Sequence, residues 1–206
     1  MTQFVRLRTA ALTVFAALLV SACETTPKRP INTEFSQRNW EIRRSTLTAV
    51  QSFELKGRLA EKGLTGGRGD LNWQQAGERF DVHVSGPLGI GALSINGNPR
   101  SVEIKTKDGV FVTSSPESFM QSKLGWSLPV MQLPFWVLGL PAPLRSNPPM
   151  VLLDDSGRAQ TIKQAGWVID YTEYQTVGAL VLPRKLELTN GSRGFRIVID
   201  QWSGTP

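Results

Sequence analysis

From Phe53 onward, apolar and polar residues alternate with a period of two. Phe53, Leu55 and Leu59 interleave with Glu54, Lys56 and Arg58; Leu71 and Trp73 with Asn72 and Gln74; Phe80, Val82 and Val84 with Asp81, His83 and Ser85. Leu93 and Ile95 follow, then Val102 and Ile104 against Glu103 and Lys105, and Asp108-Gly109 reads as a two-residue hairpin turn before Val110-Phe111-Val112. Successive side chains of a strand face opposite sides, so the pattern predicts an antiparallel meander with one apolar and one wet face. The alternation resumes near Ala159, after an Asp155-Ser156-Gly157 turn, with Trp167, Ile169 and Tyr171, then Leu182, Leu186 and Leu188, then Phe195, Ile197 and Ile199. Pro183 marks a strand start or an edge, and Asn190-Gly191 a turn. About ten strands in one sheet of this size must curl.

Two stretches break the period. Residues 33–52 contain no Gly or Pro, and Trp40, Leu47 and Val50 with Ile42 supply the apolar stripe of a helix. Ser114, Ser115 and Pro116, with Glu117 in the first turn, start a second helix that carries Phe119, Met120 and Leu124 and ends at Gly125. Residues 126–144 then form the most apolar stretch after the N-terminus, punctuated by Pro129, Pro134, Pro141 and Pro143. That stretch is too short and too interrupted to cross a bilayer, and predicts one or two short helices lying over the sheet. The expected fold is α+β, mainly β: a single curled antiparallel sheet forming a half-open barrel, covered by a helical lid, within one domain at 33–206.

The N-terminus is of another kind. Arg6 and Arg8 precede an apolar run from Ala10 to Val20, and Ser21-Ala22 are small residues before Cys23. This is the layout of a cleavable export signal over 1–22. Val20-Ser21-Ala22-Cys23 has the form of a lipobox, in which the Cys23 thiolate accepts a diacylglyceryl group. Cys23 is the only cysteine, so an exported chain has no internal disulfide to form and the thiol is available for lipid. Glu24, rather than Asp, follows it and favours an outer-membrane anchor over retention in the inner membrane. Residues 23–32, with Pro27 and Pro30, read as the lipidated N-terminus and a tether.

Charge excludes one class. Removing Arg6 and Arg8 from 23 basic residues leaves 21 against 17 acidic, a modest and scattered excess rather than a nucleic-acid stripe. The nearest cluster, Arg38, Arg43 and Arg44 with Lys28 and Arg29, reads as a solvated helix face and linker close to lipid head groups. Catalytic patterns are missing too. The single histidine, His83, sits on a wet strand face, and no nucleophile elbow, phosphate loop or Cys/His metal set occurs. Asp154-Asp155 beside Ser156-Gly157 caps a turn. The chain is therefore expected not to be an enzyme; a hydrolase would need a nucleophile beside His83.

Six tryptophans and nine phenylalanines accompany the curled sheet and its apolar lid. They could fill an ordinary core or line a cavity for acyl chains. Leu88 is a second oddity: in Gly86-Pro87-Leu88-Gly89-Ile90 it occupies the tip of a connection where polar residues are usual. Either the turn folds back over it, or an apolar tip meets membrane or a partner.

With these pieces assembled, the chain resembles the LolB family of outer-membrane lipoprotein receptors. The likeness rests on the lipobox, Phe53-Glu54-Leu55-Lys56-Gly57-Arg58-Leu59, Leu71-Asn72-Trp73-Gln74-Gln75, Gly86-Pro87-Leu88-Gly89, Leu128-Pro129-Val130 and Trp136-Val137-Leu138-Gly139-Leu140-Pro141, in that order. It implies a protein that accepts lipoproteins from the periplasmic carrier LolA and places them in the outer membrane, as a monomer, without cofactor or nucleotide. It implies a membrane-insertion loop at Leu88 with Pro87, Gly89 and Ile90, and favours the cavity over the filled core. The expected lining is Leu59, Trp73, Val82, Leu93, Ile104, Met131, Leu133, Trp136, Leu140, Trp167 and Ile169, under a lid around 131–140 that moves when cargo arrives. The alternative is an envelope scaffold lipoprotein with a filled core that holds a protein partner.

Overall fold

The computed structural model describes residues 33–62, 67–86, 92–146, 148–191 and 193–205. The signal peptide, Cys23, the tether and the loop residues Pro87, Leu88, Gly89 and Ile90 lie outside the described residues. A helix α1 (Glu34–Thr48) precedes strands β1 (Ser52–Glu61), β2 (Arg68–Ala76), β3 (Arg79–Ser85), β4 (Leu93–Asn98), β5 (Ser101–Thr106) and β6 (Gly109–Thr113). Helices α2 (Pro116–Leu124) and α3 (Leu133–Val137) follow, then β7 (Met150–Leu153), β8 (Ala159–Gln164), β9 (Trp167–Val177), β10 (Leu180–Asn190) and β11 (Arg193–Ser203).

All eleven strands form one antiparallel sheet in the order β6-β5-β4-β3-β2-β1-β11-β10-β9-β8-β7. The first and last strands therefore meet in the middle, β1 against β11, while β6 and β7 are the edges of the sheet among the described residues. The sheet is not closed into a barrel. Gly57 sits at the bulge in the β1–β11 ladder, where a Cβ would lie 2.1 Å from the Val198 carbonyl oxygen. Glycine is what allows the two halves to join so closely.

The alternating faces sort as the period demands. Phe53, Leu55, Leu71, Trp73, Leu186, Leu188, Ile197 and Ile199 are buried in one core. A second, smaller cluster joins Phe80, Leu93, Ile95, Val102, Ile104 and Met120 with Val130. The opposite face of the central strands is wet and laced with ion pairs, such as Arg58–Asp200 at 2.8 Å and Arg196–Glu187 at 2.9 Å.

Helix α1 is capped by Thr33, whose Oγ1 accepts from the Ser36 amide at 3.1 Å. Trp40 and Leu47 face the core; Ile42, expected on the same stripe, is 63% exposed. Nor is Arg43 part of a solvated face. It reaches inward, donates to the Val181 carbonyl and lies 5.4 Å from the Tyr174 ring centroid, and burial lowers its pKa below the usual guanidinium value. The helix packs at the sheet end that carries the β7–β8 turn, where a Cβ on Gly157 would come within 2.6 Å of the Ser36 carbonyl.

Three local expectations need correcting. The two-residue turn before β6 is Lys107-Asp108, with Gly109 already paired to Thr106. Strands resume at Met150, not near Ala159, because Met150–Leu153 pairs with β8 as the sheet's edge. Pro183 lies inside β10 at a register shift against β9, where the ladder is interrupted and a missing N–H is tolerated. The apolar stretch, by contrast, forms one short helix as expected, the five-residue α3, and is otherwise irregular.

Candidate functional site

The two hydrophobic clusters do not merge completely. Between them lies an apolar cavity of about 30 Å³; the thirteen described residues that line it carry no charge. Its floor is the buried face of the sheet: Leu59 on β1, Leu71 and Trp73 on β2, Phe80, Val82 and Val84 on β3, Leu93 and Ile95 on β4, and Ile197 on β11. Its roof is Trp126, Leu128, Val130 and Leu133. These side chains converge because a period of two places every second residue of five neighbouring strands on one face.

Of the residues expected to line a cavity, the structure brings Leu59, Trp73, Val82, Leu93 and Leu133 together around it. Ile104 is fully buried in the smaller cluster, and Met131 is half-buried against that cluster. Trp136, Leu140, Trp167 and Ile169 are packed in the solid core on the β8–β9 side. Alternation names the face of a strand but not whether the space above it is filled. Trp126 was the least visible member: it stands one residue past the α2 cap, outside any periodic element. Its position in the apolar stretch was the available signal.

The roof is held unevenly. Gln164 on β8 is almost fully buried and clamps α3 and the chain beyond it: its Oε1 accepts from Trp136 Nε1 at 3.1 Å and from the Ala142 amide at 2.8 Å, and its Nε2 donates to the Ala142 carbonyl at 2.7 Å. Tyr171 adds a 2.8 Å bond from its hydroxyl to the Trp136 carbonyl, and burial holds that hydroxyl protonated by pushing its pKa well up. Residues 129–132 are bonded onto the first turn of α3, the Leu133 amide donating to the Pro129 carbonyl at 3.0 Å and the Trp136 amide to the Gln132 carbonyl at 3.2 Å, and the Val130 amide donates to Glu117 Oε1 at 3.1 Å; residues 126–128 have the lighter tie.

The cavity opens at one end. A depression of about 420 Å³ shares Leu59, Val84, Leu93 and Trp126 with it and adds Glu61, Arg68, Gly86 and Phe195. This mouth lies at the strand ends that lead into residues 63–66 and 87–91, opposite the end covered by α1. A larger depression, about 610 Å³, lies on the wet face among Arg58, Arg68, Asp70, Glu173, Arg184, Lys185 and Arg196. Its charges suit water and ions rather than hydrocarbon. His83 is exposed on the same face, 3.0 Å from Asp81. Among the described residues no group of three or more His, Cys, Asp or Glu could hold a metal, and no helix is long and apolar enough to cross a membrane.

A family model described as "Outer membrane lipoprotein LolB" matches residues 51–202, from the start of β1 to the end of β11. The chain belongs to the LolB family. Outer-membrane lipoprotein LolB from Nitrosococcus oceani is 33% identical over 93% of this chain and 96% of its own length. The relative from Pseudomonas syringae pv. syringae is 32% identical over 90% and 91%, and that from Chromohalobacter salexigens 30% identical over 92% and 87%. Among solved structures, a LolA superfamily protein from Nitrosomonas europaea shares the fold, with a TM-score of 0.50 at 9% identity over 83% of this chain and 94% of that one. The LolB match reaches every strand of the sheet and takes in all the roof residues, so the described residues of the cavity and its mouth lie within it.

Proposed function

We propose that this LolB-family chain accepts lipoproteins from the periplasmic carrier LolA and incorporates them into the outer membrane, holding their acyl chains in the apolar cavity between sheet and roof. The observation that carries this reading is the cavity itself: a wholly uncharged lining, a roof segment tied by few bonds, and a mouth at one end. Acyl chains should avoid water throughout transfer, since each exposed methylene costs about 0.8 kcal/mol. A downhill order of affinities from carrier to receptor to bilayer then needs no nucleotide. Cys23 carries the lipid anchor after removal of residues 1–22, residues 23–32 tether the domain on the periplasmic side, and Leu88 with its neighbours enters the membrane during release.

The closed cavity is small. Ligand pockets hold about 300–1,000 Å³, so 30 Å³ describes a receptor at rest. Part of the roof must lift, and the Gln164 clamp keeps α3 and the residues 129–132 bonded to its first turn in place while 126–128 moves; the hinge therefore falls before Pro129 rather than the whole of 131–140 swinging. The same small volume favours the alternative of a scaffold lipoprotein with a filled core. Transfer separates the two. The chain without lipid is mixed with carrier loaded with an acylated lipoprotein, and the cargo is located. The receptor reading expects cargo on the wild type, and Leu88→Glu to accept cargo yet fail to pass it to liposomes. Cargo that stays on the carrier sinks the receptor reading and leaves the scaffold.

A further inference from the structure

The deep cavity and the mouth share four residues, and three of them, Leu59, Val84 and Leu93, are fixed on strands in the middle of the sheet. Trp126 is the fourth and the only one on the roof. It stands at the junction of a 30 Å³ space and a 420 Å³ space, half-buried, with its ring centroid 5.7 Å from that of Phe195. Phe195 lines the mouth and not the deep cavity. The indole therefore closes the passage from the roof side and rests on the mouth's aromatic wall.

Its attachment suits movement. Trp73, Trp136 and Trp202 each donate an indole N–H to a fixed acceptor, at 3.0, 3.1 and 3.2 Å. Among the described residues no acceptor receives the Trp126 N–H, so swinging the ring gives up its contact with Phe195 and its apolar packing against the two clusters, but no hydrogen bond to a described residue. The preceding residue, Gly125, ends α2 with φ +74°, and a Cβ there would meet nothing within 4 Å. The chain thus has a glycine joint with open space around it just before the ring.

We propose that Trp126 is the gate of the acyl-chain passage: chains enter through the mouth beside Gly86 and Arg68, displace the indole from Phe195 and reach the deep cavity behind it. This rests on the acyl-chain reading above. A gate sets rates in both directions. Truncating it speeds binding and release together, whereas truncating an ordinary wall residue weakens affinity and leaves the association rate alone.

The test uses residues 23–206 with Cys23→Ser, and pyrene-labelled palmitate in stopped flow. For Trp126→Ala, association and dissociation rates both rise about five- to tenfold, the loss of one aromatic stacking pair, while Kd changes much less than either rate; Trp126→Phe stays close to wild type. As a second measurement that does not need the alanine variant to fold, dibrominated stearate quenches tryptophan fluorescence, and Trp126→Phe lacks a share of the quenching seen in wild type. Rates within twofold of wild type, a weaker Kd without faster association, or identical quenching in wild type and Trp126→Phe each overturn the gate and leave the acyl-chain site standing. A wild type that binds neither fatty acid overturns both.

Discussion

Gln164 offers the sharpest check on how the roof is anchored. Replacing it by leucine keeps the volume and removes three hydrogen bonds in one step. The Trp136 indole N–H, the Ala142 amide and the Ala142 carbonyl lose their partner in a place where Gln164 is 3% exposed and Trp136 0%. Each buried polar group left without a partner costs about 1–3 kcal/mol. The three are adjacent, so their costs do not simply add, and one water admitted between them recovers part of the loss. An overall destabilisation of about 3–4 kcal/mol follows, large for a single substitution. In urea the midpoint should fall with an unchanged slope, and thermal unfolding should drop by roughly 10 °C at this chain length. Near-ultraviolet circular dichroism should lose part of the Trp136 signal before global unfolding, because α3 frees first. A loss below about 1 kcal/mol would refute the clamp: α3 would then be held by its apolar contacts alone, and the division into a fixed helix and a movable 126–128 segment would fall with it.

Other substitutions probe separate parts of the fold. Gly57→Ala forces a Cβ against the Val198 carbonyl and should cost roughly 3 kcal/mol or more, seen as a lowered urea midpoint and lost protection of β1 and β11 amides in hydrogen exchange. Ile104→Ala, in solid core, should cost about 3 kcal/mol, whereas Val82→Ala, half-buried beside the cavity, should cost about 1 kcal/mol or less; equal losses in urea unfolding would mean the two sites are packed alike. Lys62 and Arg196 hydrogen-bond to Glu187 and hold its carboxyl below the ordinary value. A depressed folded pKa stabilises above the unfolded value of about 4.3 and is lost as pH falls through the folded one. Glu187→Gln should therefore narrow the stability difference between about pH 7 and about pH 3, measured by thermal melts.

Much of this architecture can be read from the chain because strands with one wet face advertise themselves. Phe53–Leu59 and Trp167–Tyr171 alternate cleanly and form strands with the expected faces buried, and Phe80–Val84 forms one in which Phe80 is buried and Val82 and Val84 half-buried. The α2 boundaries also follow from local chemistry, Pro116 in the first turn and Gly125 in the left-handed cap. Met150–Leu153 escapes because four consecutive apolar residues at a sheet edge carry no period. Ile42 misleads because α1 buries only a narrow stripe, Ser36, Trp40 and Leu47, and Ile42 lies off it. The cavity is legible only in part. Trp73 and Trp167 look alike in sequence, each on the apolar face of a strand. The gap above Trp73 and the packing around Trp167 depend on where α3 is clamped, and that clamp is a single glutamine on β8 whose partners lie 22 and 28 residues away. Nothing local marks such a residue.

The acyl-chain site itself can be mapped by light. A lipoprotein carrying a photoreactive acyl chain is loaded on the carrier, transferred to the chain with Cys23→Ser, irradiated, and the labelled residues are identified by mass spectrometry. Label on Val82, Leu93, Leu128 and Trp126, with none on Ile169 or Leu186 in the packed core, is the pattern expected if the chains occupy the space between sheet and roof. Label confined to the charged outer face around Arg58 and Arg196, or no label on the domain after irradiation, would show that hydrocarbon never enters the fold.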